Sequence, residues 1–366
     1  MKLQPVKIGK HTLRYPIIQG GMGVGISWSN LAGSVSKEGA LGVISSIGTG
    51  NYQNRRFVKN FSFDRPSGTA EFYNRGATFE IFKKAREICG DAPLGANILQ
   101  AINDYERVVI DTCEAGADII ITGAGLPMNM PEYAADFPDV ALIPIVSSSK
   151  ALCLIAKRWE QRFKRVPDAV VLEGPLSGGH QGFTYEQCID PEYQLEKLIA
   201  PVVAAARSID ASIPVFAAGG IWDHDDIARA IELGASGVQM GTRFIGTFEC
   251  DAPDIYKRLL LDCTADQIKL ISSPVGYPAR AIRTPLIDTI DRRDGLAIRC
   301  VSNCVVPCKR GEEAKKVGYC IADRLSDAAA GILETGLFFS GSNGHRIDKI
   351  ISVHELMQKL VNGEEV

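Results

Sequence analysis

The chain has 366 residues, 46% apolar and 23% charged, an ordinary globular composition that excludes disorder as the main state. Forty Lys and Arg against 43 Asp and Glu leave a net charge of −3, with no block of one sign, so a nucleic-acid partner is not expected. At about 150 residues per domain the length allows two domains, or one large domain carrying an insertion.

The opening MKLQPVKIGKHTLRY holds no apolar h-region, and no run reaches the roughly 18 apolar residues of a membrane span. A cytoplasmic protein without membrane contact is expected. Strands are predicted at 15–18, 40–46, 93–99, 117–125, 141–148, 168–174, 213–220 and 236–244. Helical spacing alternates with them at 77–89, 104–116, 150–163, 192–208 and 224–234, and Ser29 or Asn30 is the expected cap of an earlier helix after the first strand. The strands are continuous apolar runs, as in parallel sheets covered on both faces. Eight βα units over roughly 250 residues predict a mixed α/β fold of the (β/α)8 TIM-barrel type, favoured over an open doubly wound sheet.

After residue 245 the rhythm breaks. Residues 1–245 read as the barrel, 246–320 as an inserted cap subdomain and 321–366 as C-terminal helices completing the barrel. A helix is expected over 321–334. Another is expected over 352–363, with Ser352 as N-cap and Glu355 three residues on.

In a barrel the chemistry collects in loops at the C-terminal strand ends. After the seventh strand stands Ala217-Ala218-Gly219-Gly220-Ile221, and after the eighth Gly241-Thr242-Arg243-Phe244. Glycines let backbone N–H groups approach phosphate oxygens, and Thr242 adds a hydroxyl donor. The first loop, QGGMGVG, has GxG spacing, but no acidic residue ends the second strand to hold a ribose, so it reads as backbone lying against a planar ligand with Met22 at the ring. The loop after the sixth strand, EGPLSGGHQGF, starts at Glu173 and carries His180 behind Gly178 and Gly179. An imidazole there can transfer a proton or donate a hydrogen bond, and His345 is a second candidate. Asn97 and Thr122 end apolar strands, either as strand-end caps or as partners of a polar heterocycle.

In order, PIIQGGMG, GANIL, GGHQG, IPVFAAGGI, GVQMGTRF and SGSNG make the chain similar to the nitronate monooxygenase (2-nitropropane dioxygenase) family of FMN-dependent barrels, relatives of the FMN-dependent enoyl-acyl-carrier-protein reductases. The resemblance implies FMN as cofactor. Gly21, Met22 and Gly23 would lie at its ring and Asn97 would hydrogen bond to the flavin. Gly178 and Gly179 would run beside the ribityl chain or phosphate, and Gly219, Gly220, Gly241 and Thr242 would hold the phosphate. Thr122, Glu173, Ala218 and Ser342 would complete the cofactor-binding set, Ser342 standing where many members carry Gln. His180 would be the catalytic residue. The implied reaction oxidises a small alkyl nitronate with O2 to a carbonyl compound and nitrite. An NAD(P)H-dependent enoyl or quinone reduction uses the same barrel and histidine. A flavin-free phosphate-binding lyase or isomerase with His180 as base is the reading from another class. NAD(P)H stays open as a reductant, and a homodimer as the assembly.

Cys300, Cys304, Cys308 and Cys320 cluster within 21 residues. Such a cluster can bind Zn or an iron–sulfur cluster. The bland alternative is a loop of buried thiols, or thiols lining the substrate entrance.

Overall fold

The computed structural model describes residues 1–51, 73–292, 305 and 318–363. Eight parallel strands close into a barrel: β3 (Ile17–Gln19), β4 (Leu41–Ser45), β5 (Leu94–Leu99), β6 (Ile119–Gly123), β7 (Ala141–Val146), β8 (Val170–Glu173), β10 (Val215–Ala218) and β11 (Gly237–Met240). Closure is by β11 on β3, with Val238 opposite Ile17 and Met240 opposite Gln19. This is the expected (β/α)8 barrel.

Side chains alternate between two apolar environments, since successive residues of a strand point to opposite faces. Ile18, Val43, Ile121, Ile143, Val171 and Phe216 fill the barrel interior. Ile17, Ile44, Ile98, Ile120, Leu172 and Val238 pack outward against the helices. The same alternation turns Ser45, Asn97, Glu173 and Gln239 inward at the C-terminal strand ends.

A feature absent from the sequence reading is an N-terminal hairpin, β1 (Val6–Ile8) with β2 (His11–Leu13), turned at Gly9 with φ 55°. Its Ile8 and Leu13 join the interior cluster and plug one end of the barrel. The first barrel helix, Ser29–Lys37, is not capped by Ser29 or Asn30. Asp251 accepts hydrogen bonds from the backbone N–H groups of Trp28, Asn30 and Leu31 instead. A carboxylate at a helix N-terminus satisfies free N–H groups and complements the helix dipole. The last helix, Val353–Asn362, does carry the Ser352 cap, whose Oγ accepts from Glu355 N at 3.0 Å. It packs against both Ser29–Lys37 and His224–Glu232, filling the gap in the helical ring between β11 and β3.

The eighth strand stops at Met240, and Thr242–Ile245 turn helical rather than extending the strand to 244. Within 246–320, a helix at Asp254–Asp262 leads into the antiparallel pair β12 (Ile268–Ser272) and β13 (Pro278–Ile282). A two-residue strand from the loop after β8, β9 (Gly179–His180), adds to β13, with His180 opposite Ala279. The β12–β13 pair thus takes hold of the loop that carries the histidine. No helix among the described residues is long and apolar enough to cross a membrane.

Candidate active site

The loops at the C-terminal ends of the barrel strands form one continuous rim. After β10, Gly219 and Gly220 adopt φ of 94° and 92°, a region that side chains other than glycine rarely enter. A Cβ on Gly219 would stand 2.7 Å from the Gly174 carbonyl oxygen. Ala218 precedes them, facing inward, with Glu173 opposite on β8 and Gln239 opposite on β11.

The late SGSNG loop lies across this turn. Gly341 N donates to Thr242 Oγ1 at 2.8 Å, Ser342 N to the Leu176 carbonyl at 3.0 Å and Asn343 Nδ2 to the Gly220 carbonyl at 2.7 Å. Accepting from Gly341 leaves the Thr242 hydroxyl proton free to donate. Gly178 passes so close beneath that a Cβ would be 2.7 Å from Gly341 N. His345 is tied to the same loop, through Nδ1 and the Ser342 carbonyl at 3.0 Å.

On the other side of the mouth, the loop after β3 is pinned to the barrel. A Cβ on Gly21 would come within 2.2 Å of Asn97 Cβ, and one on Gly23 within 2.0 Å of Ile47 Cγ2 and 3.0 Å of Ser45 Oγ. Met22 is held by reciprocal bonds with Ser27, and its sulfur lies beside Gly241. Asn97 Nδ2 donates to the Ile121 carbonyl at 3.4 Å. Ser45 Oγ and Gln239 Oε1 are buried with no hydrogen-bond partner among the described residues. A buried polar atom left unpaired costs about 1–3 kcal/mol, so each calls for a partner from a bound group.

His180 sits between the rim and the β12–β13 pair. Its Nε2 is 2.7 Å from Ser273 Oγ, and its ring stands edge-on to Phe339 at 5.3 Å. Burial, which penalises the imidazolium, pushes its pKa down to about 4. Gln181 braces the turn from behind, donating to the Ser177 and Gly179 carbonyls. Glu173 faces the interior, where burial pushes its carboxyl up to about 7 against an opposing hydrogen bond from Ser177. Beside Ser273 opens a cleft of about 540 Å³, walled by Phe183, Tyr185, Gln187, Tyr277 and Pro278, with no charged side chain in its lining.

The structure therefore brings together Gly21, Met22, Gly23, Asn97, Glu173, Gly178, Gly179, His180, Ala218, Gly219, Gly220, Gly241, Thr242 and Ser342. It does not bring Thr122: that hydroxyl faces the outer layer, between Tyr105 OH at 3.2 Å and Met130 Sδ at 3.1 Å. Ser45, Gln239, Ser273 and Asn343 belong to the site and escaped the sequence reading. Ser45 and Gln239 had a signal, being polar ends of apolar strands like Asn97. Ser273 had none. Cys300, Cys304 and Cys308 lie outside the described residues, and Cys320 immediately precedes the helix Ile321–Ala329. No group of three or more His, Cys, Asp or Glu that could hold a metal is found among the described residues.

Glycine turns and a histidine gathered at the C-terminal ends of a closed parallel barrel lie where enzymes of this fold carry their active sites. The nitronate monooxygenase family model matches residues 4–363, and the chain belongs to that family. It is accordingly an oxidoreductase of FMN-dependent type. Similar curated proteins include a probable nitronate monooxygenase of Bacillus subtilis, 29% identical over 280 residues, covering 75% of this chain and 78% of that one. Another is a probable nitronate monooxygenase of Staphylococcus saprophyticus, 27% identical over 312 residues, covering 80% and 82%. Among solved structures, FabK from Thermotoga maritima superposes with a TM-score of 0.71 at 25% identity, over 96% of this chain and 92% of that one. A nitroalkane oxidase from Streptomyces ansochromogenes shares the fold with a TM-score of 0.66 at 21% identity, over 95% and 94%.

Proposed function

We propose that the protein binds FMN at this rim and oxidises small alkyl nitronates with O2, yielding a carbonyl compound and nitrite. The carrying observation is the rim itself: a glycine cradle at Gly219, Gly220, Gly241 and Gly341 on one side, and two unpaired buried acceptors, Ser45 Oγ and Gln239 Oε1, on the other. Ser45 can also donate, and Gln239 can turn its amide, so both suit a heterocycle that offers donors and acceptors together. The residues present fit the cofactor. Gly219, Gly220, Gly241 and Thr242 would hold the phosphate, and Gly178 and Gly179 the chain leading from it. Gly21, Met22, Gly23, Asn97, Ser45 and Gln239 would meet the ring. FMN, when bound, supplies the electron acceptor that the chain lacks.

The chain's own part is orientation and proton handling. With a pKa of about 4 the His180 ring is neutral at pH 7, able to take a proton from a nitroalkane or, once protonated, to pair with its anion. An anion 4 Å away at an effective dielectric of 20 contributes about 4 kcal/mol, or some three pH units, enough to bring the ring to half-protonation near neutrality. The uncharged cleft beside Ser273 suits the apolar remainder of such a substrate.

The test is anaerobic. The purified protein should carry flavin absorbance, and ethyl nitronate alone should bleach it. A colourless protein that fails to take up FMN would sink the reading. The likeness to FabK supports a second reading, NAD(P)H-dependent reduction of an enoyl thioester or quinone. Bleaching by NADH or NADPH and not by nitronate would establish that one instead. Cytoplasmic location and a homodimer belong to the same proposal, as does the division into a 1–245 barrel, a 246–320 cap and C-terminal helices.

A further inference from the structure

From the cleft beside Ser273 we infer that the preferred substrate is a nitronate carrying an uncharged aromatic body, which lies between Tyr185 and Tyr277 while the nitro group is held at the rim. The inference rests on the proposed nitronate oxidation and adds which nitronates the site selects.

The cleft is joined to the histidine through Ser273, which lines it and whose Oγ lies 2.7 Å from His180 Nε2. Its volume of about 540 Å³ falls in the range that takes a drug-sized molecule. Nitroethane would occupy only about 150 Å³, at roughly the 30 Å³ of a liquid water molecule for each non-hydrogen atom, and its nitro group belongs at the rim. The walls are aromatic. Phe183 and Tyr185 come from the loop after β8 and the short helix Tyr185–Ile189, Tyr277 and Pro278 from the turn joining β12 to β13. Phe183 is buried and fixed edge-on to Tyr193 at 6.0 Å. Tyr185 and Tyr277 are each 49% exposed, so both keep ring surface to lend a ligand. A flat ring gains more against such walls than its buried area alone provides.

The walls are set before a ligand arrives. Gln181 N donates to the Pro278 carbonyl at 2.8 Å and ties one wall to the other. Thr184 and Gln187 close a capping box at the start of the short helix, and Gly276 N donates to the Ser273 carbonyl at 3.0 Å across the β12–β13 turn. Charge narrows the occupant further. The lining holds no charged side chain, so a carboxylate tail or the pyrophosphate of a dinucleotide would meet no cation there, and an unpaired charge is costly to enclose. Arg280 shares the Pro278 side of β13, two residues on, but it is not in the lining and gives Nη2 to the Pro175 carbonyl at 2.7 Å. The body that fits is therefore large, flat and neutral.

The test compares the nitronates of nitroethane, phenylnitroethane and nitrobutanoate on the holoenzyme in air. The phenyl compound should exceed the ethyl one in kcat/KM by about 10–100-fold, the worth of burying a phenyl side chain, and the carboxylate-bearing one should not. Tyr277→Ala removes a wall, and Ser272→Phe fills the cleft from an exposed position in its lining. Each should lower the phenyl-to-ethyl ratio about tenfold. Phenylethanol, which has no nitro group to react, should bind in calorimetry, and about tenfold more weakly to Tyr277→Ala. Equal kcat/KM for phenyl and ethyl nitronates overturns the inference, as does a preference for the carboxylate or a ratio that neither variant moves. Those outcomes leave nitronate oxidation standing. Phenylethanol binding that depends on Tyr277, in an enzyme that leaves every nitronate untouched, would refute the proposed reaction and keep the aromatic preference of the cleft.

Discussion

Replacing Glu173 by glutamine tests the argument that burial makes this carboxyl hold its proton well above the ordinary carboxylate range. It ends β8 facing the interior beside Ala218, and burial lifts its pKa from an ordinary 4.5 to about 7. Between those two values the unfolded chain has released the proton while the folded chain still holds it. Stability therefore falls as pH rises from 4.5 to 7, and the loss is complete above 7. At about 1.4 kcal/mol per pH unit the window amounts to roughly 3 kcal/mol. Glutamine keeps the shape and can still pair with Ser177, but does not titrate. Flavin-free wild-type and variant proteins would be unfolded in urea at several values between pH 4.5 and 8, with tryptophan fluorescence as the signal. The two should be equally stable at pH 4.5 within about 1 kcal/mol. By pH 8 the variant should be the more stable by about 3 kcal/mol, since every other titrating group is shared and cancels in the difference. Parallel curves across the range would show that Glu173 is ionised in the folded protein and that the argument from burial is wrong.

Three further outcomes follow from the geometry. Gly178→Ala puts a Cβ 2.7 Å from Gly341 N and 2.8 Å from the Ser340 carbonyl carbon, and both are backbone atoms. The late loop must shift, and FMN binding, followed by quenching of flavin fluorescence, should weaken at least tenfold. His180→Ala should lower kcat/KM for nitroethane by about 10²–10⁴, the usual worth of a positioned acid–base group, while the flavin spectrum stays as it was. Equal turnover would remove the histidine from the mechanism. Asp251→Ala strips the acceptor from three N–H groups at the start of Ser29–Lys37 and should cost about 1–2 kcal/mol in urea unfolding, with the Michaelis constants unchanged.

Eight apolar runs separated by helical spacing were enough to specify a closed parallel barrel, because a strand covered on both faces has to be apolar throughout. For the same reason the sequence is silent on which face each residue takes. Asn97 and Thr122 look alike as polar ends of apolar strands, yet only Asn97 turns inward, while Thr122 spends its hydroxyl among Tyr105 and Met130 in the helical layer. The glycine turns after the seventh and eighth strands were legible, since glycine leaves its mark wherever backbone must pass backbone or take a positive φ. Contacts made across long stretches of chain leave no such mark. Ser273 reaches His180 across 93 residues, and Asp251 caps a helix more than 220 residues before it. A serine or an aspartate in an irregular segment has nothing local to declare its partner. Local chemistry, repeated eight times, decided the barrel and the place of its active rim. Only the closing of the chain on itself decided which side chains turn into the barrel mouth and which partner His180 meets there.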